Sequence, residues 1–383
     1  MLSILGCVSS FAYYLLCLWS VRAFLRANDA SVTANSAQKL PAVSILKPLK
    51  GIDPEIYESF RSHCVQDYPA EYEIVFGVSD AADPAVATVE QLQREFPALA
   101  IKLVVCPQIL GANVKVSNLA QMLAHSHYEH VVVNDSDIRV EPDYLRNVIA
   151  PLMNSDVGMV TCLYRGVAAP TLGSRLEALG ISTDFCAGVL MARMLEGGLS
   201  FGLGSTLAFR KHDLERIGGF RSIVDYLADD YELGRRVAGL GLKIVLSKVV
   251  VETHLPAYDL GGFLAHQMRW ARGMRDARLG GYIGLASTFG TFWALLSVIS
   301  FGALPWTWAL LAAMLLLRSI VGLRVGVTIL QDLQVLPGLW LLPLRDLIAV
   351  GVWILSFFGH TVTWRGDRFK LKDGRLTRMT HPD

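Results

Sequence analysis

The sequence VVVNDSD at residues 131–137 places two aspartates directly after a short apolar run. Such a run is typical of a strand that is buried on both faces, as in a parallel sheet. In an extended segment residues i and i+2 point to the same side, so Asp135 and Asp137 can face one ligand at the carboxyl end of the strand. Two carboxylates placed in this way suit a hard divalent cation that also binds phosphate oxygens. The alternative interpretation is a solvated turn or a helix cap.

The region around this motif alternates between short β-rich runs and helical stretches, from residue 41 to about residue 278. The runs include residues 43–46, 73–78, 101–105 and 131–134. This alternation is typical of β-α-β units around a mostly parallel sheet. The sequence therefore predicts an α/β fold.

Further acidic residues are candidates for the same edge of the sheet. Asp80 closes the β-rich run at residues 73–79 and could lie beside Asp135. Asp229 and Asp230 precede a helical segment, where a carboxylate could instead cap the helix. If these groups converge, one of them can remove a proton from a bound hydroxyl group.

The sequence HQMRW at residues 266–270 lies close to a row of arginines. Arg269 beside Trp270 combines a planar guanidinium with an indole ring, which suits a diphosphate and a sugar or lipid face. Three further arginines stand just before an apolar region: Arg272, Arg275 and Arg278. We interpret these three as a charged flank that contacts lipid headgroups.

The composition indicates that part of the chain lies in lipid. Apolar residues make up 52% of the sequence and charged residues 18%, below the roughly 25% of a soluble protein. Residues 2–21 form an apolar run long enough to cross a hydrocarbon core of about 30 Å. Arg22 and Arg26 follow it, which predicts an uncleaved anchor whose carboxyl-terminal flank faces the cytoplasm. Three later candidate spans lie at residues 283–303, 305–326 and 339–361.

The predicted membrane topology contains a conflict. Four spans with an external N-terminus would put the C-terminus outside, yet residues 365–378 are strongly basic and are expected inside. We therefore expect one of the three late segments to lie in the interface or to re-enter. The apolar stretch at residues 188–209 is interrupted by Arg193 and Glu196. We predict that it is a buried or interfacial part of the globular domain rather than a span.

Other features argue against several classes of function. The net charge of +1 argues against a nucleic-acid partner. The six cysteines are scattered without a C-x-x-C pair, which indicates reduced thiols in a reducing compartment. The sequence contains neither a glycine-rich phosphate loop nor an H-E-x-x-H motif, so it predicts neither a glycine cradle for phosphate nor a catalytic zinc.

The order of these motifs resembles the pattern D…DxD…(E/D)D…(Q/R)xxRW of processive and lipid-directed inverting glycosyltransferases. Asp80, residues 135–137, residues 229–230 and residues 269–270 supply its elements. Further short sequences resemble the ceramide glucosyltransferase family, from the first anchor to the tail. They are VSILKPLKG at 43–51, DYP at 67–69, DPAV at 83–86, GANVKVSNL at 111–119 and TWRG at 363–366.

This resemblance implies a GT-A nucleotide-sugar-binding fold with a mostly parallel central sheet, plus N-terminal and C-terminal transmembrane helices. It implies a UDP-sugar as co-substrate, Mg²⁺ or Mn²⁺, and inversion of the anomeric carbon in one direct displacement. Asp80 would contact the nucleotide, and Asp135 and Asp137 would hold the metal and the diphosphate. Asp230 would be the catalytic base, with Asp229 beside it.

The resemblance also implies donor-side contacts from Lys47, Lys50, Lys115 and Asn118. The catalytic group near the membrane would be His266, Arg269 and Trp270. His266 stands where Gln or Arg is usual, and histidine there resembles a bacterial branch that includes enzymes adding N-acetylglucosamine to hopanoids.

The resemblance leaves the substrates open. The acceptor is a ceramide-type sphingolipid or a hopanoid such as bacteriohopanetetrol, and the donor is UDP-glucose or UDP-N-acetylglucosamine. A processive polysaccharide synthase shares the acidic motifs but normally has more spans, and a non-catalytic scaffold would be expected to lack carboxylates that are all present here.

We divide the chain into five predicted parts. They are an anchor at 1–26, a linker at 27–40, the GT-A domain at 41–280, a C-terminal membrane region at 281–363 and a basic cytoplasmic tail at 364–383. The resulting protein is an integral membrane protein with its catalytic domain on the cytoplasmic side, and the histidine variant implies a bacterial inner membrane.

Overall fold

The structure, a computed structural model, describes residues 1–32, 39–364 and 366–379. Most of the predicted linker, residues 33–38, and residues 365 and 380–383 of the predicted tail lie outside the described residues. The chain forms two compact units. The first, here called the helical unit, comprises Met1–Ser31, Ala168–Leu195 and Ala257–Asp373; the second, the sheet unit, comprises Val32–Val167, Glu196–Pro256 and Gly374–Asp383.

The strands are β1 Val43–Pro48, β2 Tyr72–Val78, β3 Ala100–Val105, β4 His130–Val133, β5 Ile138–Arg139, β6 Val157–Val167, β7 Leu207–Arg210, β8 Lys243–His254, β9 Thr361–Trp364, β10 Asp367–Lys372 and β11 Arg375–Arg378. The α-helices are α1 Leu2–Val32, α2 Ile56–Cys64, α3 Ala85–Glu95, α4 Val114–Met122, α5 Tyr144–Ile149, α6 Leu172–Gly180, α7 Cys186–Leu195, α8 Lys211–Arg216, α9 Asp229–Gly239, α10 Leu260–Ala277, α11 Leu279–Gly284, α12 Gly290–Ser300, α13 Pro305–Leu323, α14 Val335–Gly338 and α15 Leu342–Ser356. Two π-helical stretches, Ile181–Phe185 and Arg324–Ile329, continue α6 and α13.

An eight-stranded sheet forms the core of the sheet unit, in the order β3-β2-β1-β4-β7-β6-β8-β5. The pairs β1–β2, β2–β3, β1–β4 and β6–β8 are parallel, and β4–β7, β6–β7 and β5–β8 are antiparallel. Every residue of β1 is buried, as expected for a parallel strand that is covered on both faces. The predicted α/β fold with a mostly parallel sheet is confirmed.

The order of the strands gathers three loops at one edge of the sheet. Because β2, β1 and β4 are neighbouring parallel strands, their carboxyl ends meet at the same edge. Asp80 follows β2, Lys50 follows β1 and Asp135 follows β4. Residues far apart in the sequence can therefore surround one ligand at this edge.

The helical unit contains most of the apolar helices. Among the described residues, four helices are long and apolar enough to cross a membrane: Leu2–Ala27, Leu172–Leu195, Pro305–Ile329 and Val335–Ser356. A bent pair, Leu279–Thr288 and Gly290–Ser300, passes the same test with a 56° bend. Leu2–Ala27 overlaps the predicted anchor, and the bent pair, Pro305–Ile329 and Val335–Ser356 overlap the three predicted late spans. Leu172–Leu195 was not predicted as a span. It contains the first part of the apolar stretch at 188–209, which is divided between α7 and β7.

Two of the arginines that follow the HQMRW sequence bind backbone carbonyl groups. Arg275, which is buried, donates to the carbonyl oxygens of Ser356 and Gly359 at the end of α15. Arg272 donates to the carbonyl oxygens of Phe358 and Thr361. The last carbonyls of a helix lack partners within the helix, and Arg275 supplies a donor for that of Ser356, the last residue of α15; the other three carbonyls lie in the segment that follows the helix. The predicted headgroup contact is therefore wrong for Arg275, and the Arg272 guanidinium is also committed to the backbone.

We expect Arg275→Ala to destabilise the helical unit. The carbonyl group of Ser356 would lose its donor, and an unsatisfied buried polar group costs about 1–3 kcal/mol. The measurement is the midpoint of thermal unfolding of the purified protein in detergent. Lys243→Ala, which removes a positive charge at an exposed position, is the control and is expected to leave the midpoint nearly unchanged. Equal midpoints for the two variants would contradict the capping role of Arg275.

Candidate active site

Asn134, the residue directly after β4, fixes the start of the loop that follows this strand. This side chain is fully buried, and its amide nitrogen donates to the carbonyl oxygen of Ser205 at 2.7 Å and to the hydroxyl of Tyr144 at 2.8 Å. The D-S-D sequence at 135–137 therefore starts from a position that is locked to the loop before β7. The sequence did not single out Asn134, although a polar residue at the end of an apolar strand was the available signal.

Lys115 connects the two acidic motifs. Its ammonium group lies 2.7 Å from a carboxylate oxygen of Asp135 and 3.1 Å from one of Asp229. Asn113 caps the amino end of α4, because its side chain accepts from the amide of Val116, and its amide group also lies 3.4 Å from Asp229. The start of α4 thus brings one cation between carboxylates that are far apart in the sequence.

Asp230 faces the same small space as Asp135. Its Oδ2 accepts from the backbone N–H of Gly204 at 2.8 Å, and its Oδ1 accepts from that of Tyr231 at 2.8 Å. A Cβ added to Gly204 would lie 3.2 Å from a carboxylate oxygen of Asp135 and 3.2 Å from one of Asp230. The two oxygens are therefore at most twice that distance apart, and only a residue without a side chain leaves the space between them open.

The approach of α9 to this space depends on a second glycine. A Cβ on Gly234 would lie 2.3 Å from the backbone nitrogen of Gly202, which is closer than real Cβ contacts allow. The backbone N–H of Gly202 also donates to the carbonyl oxygen of Asp230 at 3.3 Å. Glycine at 234 lets α9 approach the loop before β7 and so holds Asp230 beside Gly204. These two glycines could not be predicted from the sequence, because nothing in their spacing marks them.

Burial and like charges change the acidity of two of these carboxyl groups. Burial, together with the negative charge of Asp229, raises the pKa of Asp230 to about 6. Burial, together with the charge of Asp135, raises the pKa of Asp137 to about 6, although the hydroxyl of Thr253 donates to its carboxylate. A carboxylate with a pKa in this range suits general base catalysis near neutral pH.

The D-S-D carboxylates are suited to share a divalent cation with a ligand. No three His, Cys, Asp or Glu side chains in the described ranges are grouped closely enough to hold a metal ion by themselves. A cation bound by Asp135 and Asp137 would therefore need further oxygens, which a diphosphate supplies. Burial is the main cause of the raised pKa of Asp137, and the negative charges of Asp135 and Asp53 add to it; a cation would offset these charges. The residues present thus fit Mg²⁺ or Mn²⁺ held jointly with phosphate.

The four predicted donor-side residues occupy different environments. Lys47 is fully buried, and its ammonium group donates to the carbonyl oxygen of Asp135 at 3.0 Å. Burial lowers the pKa of Lys47 to about 7. Asn118 is also buried and accepts from the hydroxyl of Ser79 at 3.1 Å. Lys115 bridges the acidic motifs, and Lys50 is exposed just beyond β1.

Asp80 is exposed in the turn that follows β2. Its carboxylate accepts from the backbone N–H of Ala82 at 2.9 Å. This contact is ordinary turn chemistry, and the position of Asp80 at the carboxyl edge of the sheet leaves its predicted contact with the nucleotide a prediction.

His266, Arg269 and Trp270 lie on α10 in the helical unit. The His266 ring stacks on Tyr258 with a centroid distance of 5.5 Å, and it also contacts Trp270 at 5.5 Å. Phe185 packs edge-on against the ring of Trp270, with a centroid distance of 5.6 Å. These four rings form a continuous aromatic row along α10.

A buried carboxylate that the sequence analysis missed supports this row. Glu177 is 1% exposed, and an oxygen of its carboxylate lies 3.2 Å from Nδ1 of His266. Gln267 donates to Glu177 at 2.7 Å and accepts from Arg345 at 2.8 Å. The network fixes α10 against α6 and α15. An isolated glutamate in an apolar helix was the only sequence signal for it.

The fold and the acidic edge define a sugar-transferring enzyme with a GT-A fold. A solved structure that resembles the chain is "Mannosyltransferase PcManGT from Pyrobaculum calidifontis in complex with GDP-Man and Mn2+", with a TM-score of 0.54 and 21% identity. The alignment covers 94% of this chain and 99% of that one. This likeness confirms the predicted GT-A fold.

The chain belongs to glycosyl transferase family 21, whose family model matches residues 2–377. The chain is similar to ceramide glucosyltransferase 3 of Caenorhabditis elegans, with 25% identity over 345 residues, which is 88% of this chain and 74% of the relative. It is also similar to ceramide glucosyltransferase 1 of the same organism, at 25% over 54% of this chain and 44% of the relative. The ceramide glucosyltransferase of Candida albicans is 30% identical over 30% of this chain and 23% of the relative. The second and third matches thus span less than half of each relative, and the predicted resemblance to this family is confirmed.

Proposed function

We propose that the protein transfers one sugar from a UDP-sugar to the hydroxyl group of a membrane lipid, with inversion at the anomeric carbon. The single observation that carries the proposal is the space beside Gly204, where carboxylate oxygens of Asp135 and Asp230 face each other. One carboxylate belongs to the motif that suits a diphosphate with its cation, and the other has a pKa suited to a base. Direct displacement needs these two functions on opposite sides of one sugar.

In this mechanism Asp230 accepts the proton of the acceptor hydroxyl as its oxygen attacks the anomeric carbon. The bond from that carbon to the diphosphate breaks in the same step, so an α-linked donor gives a β-linked product. A bound Mg²⁺ or Mn²⁺, held by Asp135 and Asp137, would offset the charge that develops on the diphosphate. Lys115 keeps Asp135 and Asp229 oriented toward the site, and Arg269 is the predicted additional cation for the diphosphate.

The membrane attachment fits a lipid acceptor. Withdrawing a lipid chain into water costs about 0.8 kcal/mol for each CH₂ group, so the enzyme must reach the lipid at the bilayer. Arg22 and Arg26 lie in α1 directly after its apolar run at residues 2–21, which supports a catalytic domain on the cytoplasmic side, where UDP-sugars are available. All six cysteines are buried and none of them forms a disulfide, as suits a reducing compartment.

Two acceptor classes are consistent with the chain. The names of the similar relatives favour ceramide as the acceptor and glucose as the sugar. His266, at the position before x-x-R-W, favours a hopanoid polyol and N-acetylglucosamine. The catalytic assignment is the same for both pairs.

The proposal is tested by incubating the purified protein with radiolabelled UDP-glucose or UDP-N-acetylglucosamine and with ceramide or bacteriohopanetetrol in mixed micelles, with Mn²⁺ or Mg²⁺. Mass spectrometry of the extracted lipid identifies sugar and acceptor together. We expect a lipid with one added sugar, which Asp230→Asn forms at a much lower rate. A polymeric product would indicate a processive synthase, and binding of UDP-sugar without release of UDP with any lipid would indicate a scaffold. Either result would overturn the proposal.

Lys115→Met is expected to shift the acid limb of the activity profile to higher pH. Burial raises the pKa of Asp230, and the positive charge of Lys115 opposes that rise. Removing this charge lets the pKa of Asp230 rise further, so a higher pH is needed to deprotonate the base. The measurement is kcat/KM as a function of pH, with Lys243→Met, an exposed lysine, as the control. An unchanged acid limb with a uniformly lower rate would contradict this effect of Lys115 on Asp230.

A further inference from the structure

The chain leaves the sheet unit after Pro256 and returns to it at Gly374. Two backbone hydrogen bonds join the returning chain to the sheet unit. The N–H of Leu227 donates to the carbonyl oxygen of Gly374 at 3.0 Å, and the N–H of Leu376 donates to that of Asp225 at 2.6 Å. A folded domain lies on one side of a bilayer, so the chain between these points crosses the membrane an even number of times. Three apolar segments lie in this interval, the bent pair 279–300, Pro305–Ile329 and Val335–Ser356. At least one of them therefore does not cross.

The third of these segments lies side by side with α10. Near the start of α15, Arg345 donates to Gln267 at 2.8 Å, and its guanidinium lies over the ring of Phe263 at 5.9 Å. At the end of α15, the carbonyl oxygens of Ser356 and Gly359 accept from Arg275. The contact between Gln267 and Arg345 comes first along both helices, and the contact between Arg275 and Ser356 comes later along both. The two helices therefore run side by side in the same direction.

The charges on α10 exclude it as a membrane span. Its ionisable side chains are His266, Arg269, Arg272, Arg275 and Asp276. Each Arg, Lys or Asp at the centre of a membrane helix costs about 2.5–3.5 kcal/mol, so this helix stays at the surface of the bilayer. α15 lies beside it and carries Arg345 and Asp346 itself. Its depth is therefore that of α10, although its length and composition would allow it to cross.

The other face of α14 and α15 is an exposed apolar stripe. Its members follow one another at helical spacing: Leu336, Trp340, Leu344, Leu347 and Leu355, which are 40–75% exposed. A stripe that runs the whole length of a helix, opposite a face bound to a charged helix, is typical of a helix that lies in the membrane interface. The occupant that matches it is the acyl region of one leaflet. Trp340, the most exposed member, is a residue type enriched at that depth.

The segment Leu172–Leu195 is constrained in the same way. It connects β6 to β7, and these strands pair within one sheet, with Met159 opposite Phe209. Both ends of the segment therefore lie on the side of the sheet unit. At 1.5 Å per residue its 24 residues reach about 36 Å, enough for one crossing and too short for a crossing and a return. It can only enter and leave on one side, despite its length and hydropathy.

We infer that Val335–Ser356 and Leu172–Leu195 lie in the plane of the leaflet that faces the sheet unit. After α1, the described part of the chain then crosses the bilayer only as the hairpin of the bent pair and α13, which turns at Gly302 and Ala303, both with positive φ. The inference rests on the membrane attachment proposed above and deepens it. The in-plane helices form a shallow platform that holds α10, with its H-x-x-R-W sequence, at headgroup depth, where the hydroxyl of a lipid acceptor lies.

The same topology resolves the conflict in the sequence-based prediction. With an even number of crossings after Pro256, the basic residues of β10 and β11 lie on the same side as Arg22 and Arg26. Basic flanks of membrane segments are found on the cytoplasmic side, so the two arguments agree although they use different residues.

The first test determines on which side each end of Val335–Ser356 lies. Single cysteines replace Leu333 and Lys372, which flank the segment, and Glu90 on α3 as the reference for the sheet unit. Each variant reacts with a membrane-impermeant maleimide in intact and in permeabilised cells, and the wild-type protein, with its buried cysteines, is the blank. We expect all three to react only after permeabilisation. Labelling of Leu333→Cys and Lys372→Cys from opposite sides would overturn the inference.

The second test measures depth in phosphatidylcholine and phosphatidylglycerol vesicles. A fluorophore is attached to a cysteine at Leu336, Leu347 or Leu355, and is quenched by lipids with a nitroxide at a shallow or a deep acyl position. We expect the same shallow-to-deep quenching ratio at all three positions. In a crossing helix Leu347 would lie up to about 16 Å deeper than Leu336, at 1.5 Å per residue, and would be quenched most by the deep label. That pattern would overturn the inference.

The two proposals fail in different ways. A wild-type protein recovered without membrane would contradict the membrane attachment on which both depend. A protein that remains in the membrane and transfers sugar to lipid, but labels with its ends on opposite sides, would contradict only the in-plane helices. Sugar transfer by each cysteine variant serves as the check of folding, because none of the substituted residues is placed in the catalytic machinery.

Discussion

Asp230→Asn is expected to reduce kcat for sugar transfer by about 10²–10⁴-fold, the usual cost of losing a general base. An amide at this position can still accept from the backbone N–H of Gly204 but cannot take a proton from the acceptor hydroxyl. In the wild-type enzyme we expect the rate to fall as the pH drops below about 6, because Asp230 is then protonated. The measurement is the pH dependence of kcat with saturating donor.

Stability separates the loss of a base from the loss of the fold. Burial raises the pKa of Asp230, so the folded state binds a proton more tightly than the unfolded state, and the stability linked to this proton is lost as the pH rises through about 6. Asparagine carries no charge, so Asp230→Asn is expected to unfold at the same or a higher temperature than wild type at pH 7.

Asp229→Asn is the matched control for the base. Asp229 contacts Lys115 and Asn113, so its loss is expected to disturb the orientation of the site and to lower the rate less than Asp230→Asn does. Near-normal turnover by a folded Asp230→Asn protein would show that another group is the base. If Asp229→Asn lowered kcat more than Asp230→Asn did, Asp229 and not Asp230 would be the base.

The sheet was predictable because burial on both faces leaves a direct trace in sequence. The runs that became β1, β2 and β4 are mostly apolar and are buried along nearly their whole length, and parallel strands place their carboxyl ends at one edge. Asp135 could therefore be assigned to that edge without knowledge of the contacts. Lys47 shows the limit of such reasoning, since a lysine in an apolar run gave no sign that it would be fully buried.

The way in which the site residues come together could not be predicted, because it depends on residues that no sequence pattern marks. The space beside Asp135 and Asp230 exists because position 204 has no side chain, and the link between the acidic motifs is the ammonium group of Lys115. Glu177, which supports His266, is a single carboxylate in an apolar helix. Each role is set by tertiary contacts between distant residues, which local periodicity does not encode.

Hydropathy likewise predicted which helices are apolar but not how they lie. An in-plane helix and a crossing helix can have the same length and composition. The pairing of β6 with β7, the return of the chain at Gly374 and the packing of α15 beside the charged helix α10 distinguish them, and these are properties of the folded chain.

Arg318→Met is expected to destabilise the helical unit by about 3–5 kcal/mol, the usual cost of removing one partner from a buried ion pair. Arg318 on α13 is 2% exposed, and its guanidinium lies 3.0 Å from a carboxylate oxygen of Asp346 and 2.6 Å from one of Asp184. It also donates to the carbonyl oxygen of Thr183 at 3.2 Å. Its removal would leave Asp346 buried without a cation.

The matched variant is Asp346→Asn, and the two are expected to differ. When Asp346 loses its charge, Arg318 keeps Asp184 as a partner, and an amide oxygen at 346 can still accept from the hydroxyl of Thr291. The asparagine variant should therefore lose less stability than Arg318→Met, as measured by the midpoint of thermal unfolding in detergent. The asymmetry follows from charge, because one cation serves two carboxylates. Arg318 thus joins α13 of the membrane hairpin to both in-plane segments, through Asp346 and Asp184. If Asp346→Asn were as destabilising as Arg318→Met, this role of Arg318 would be contradicted.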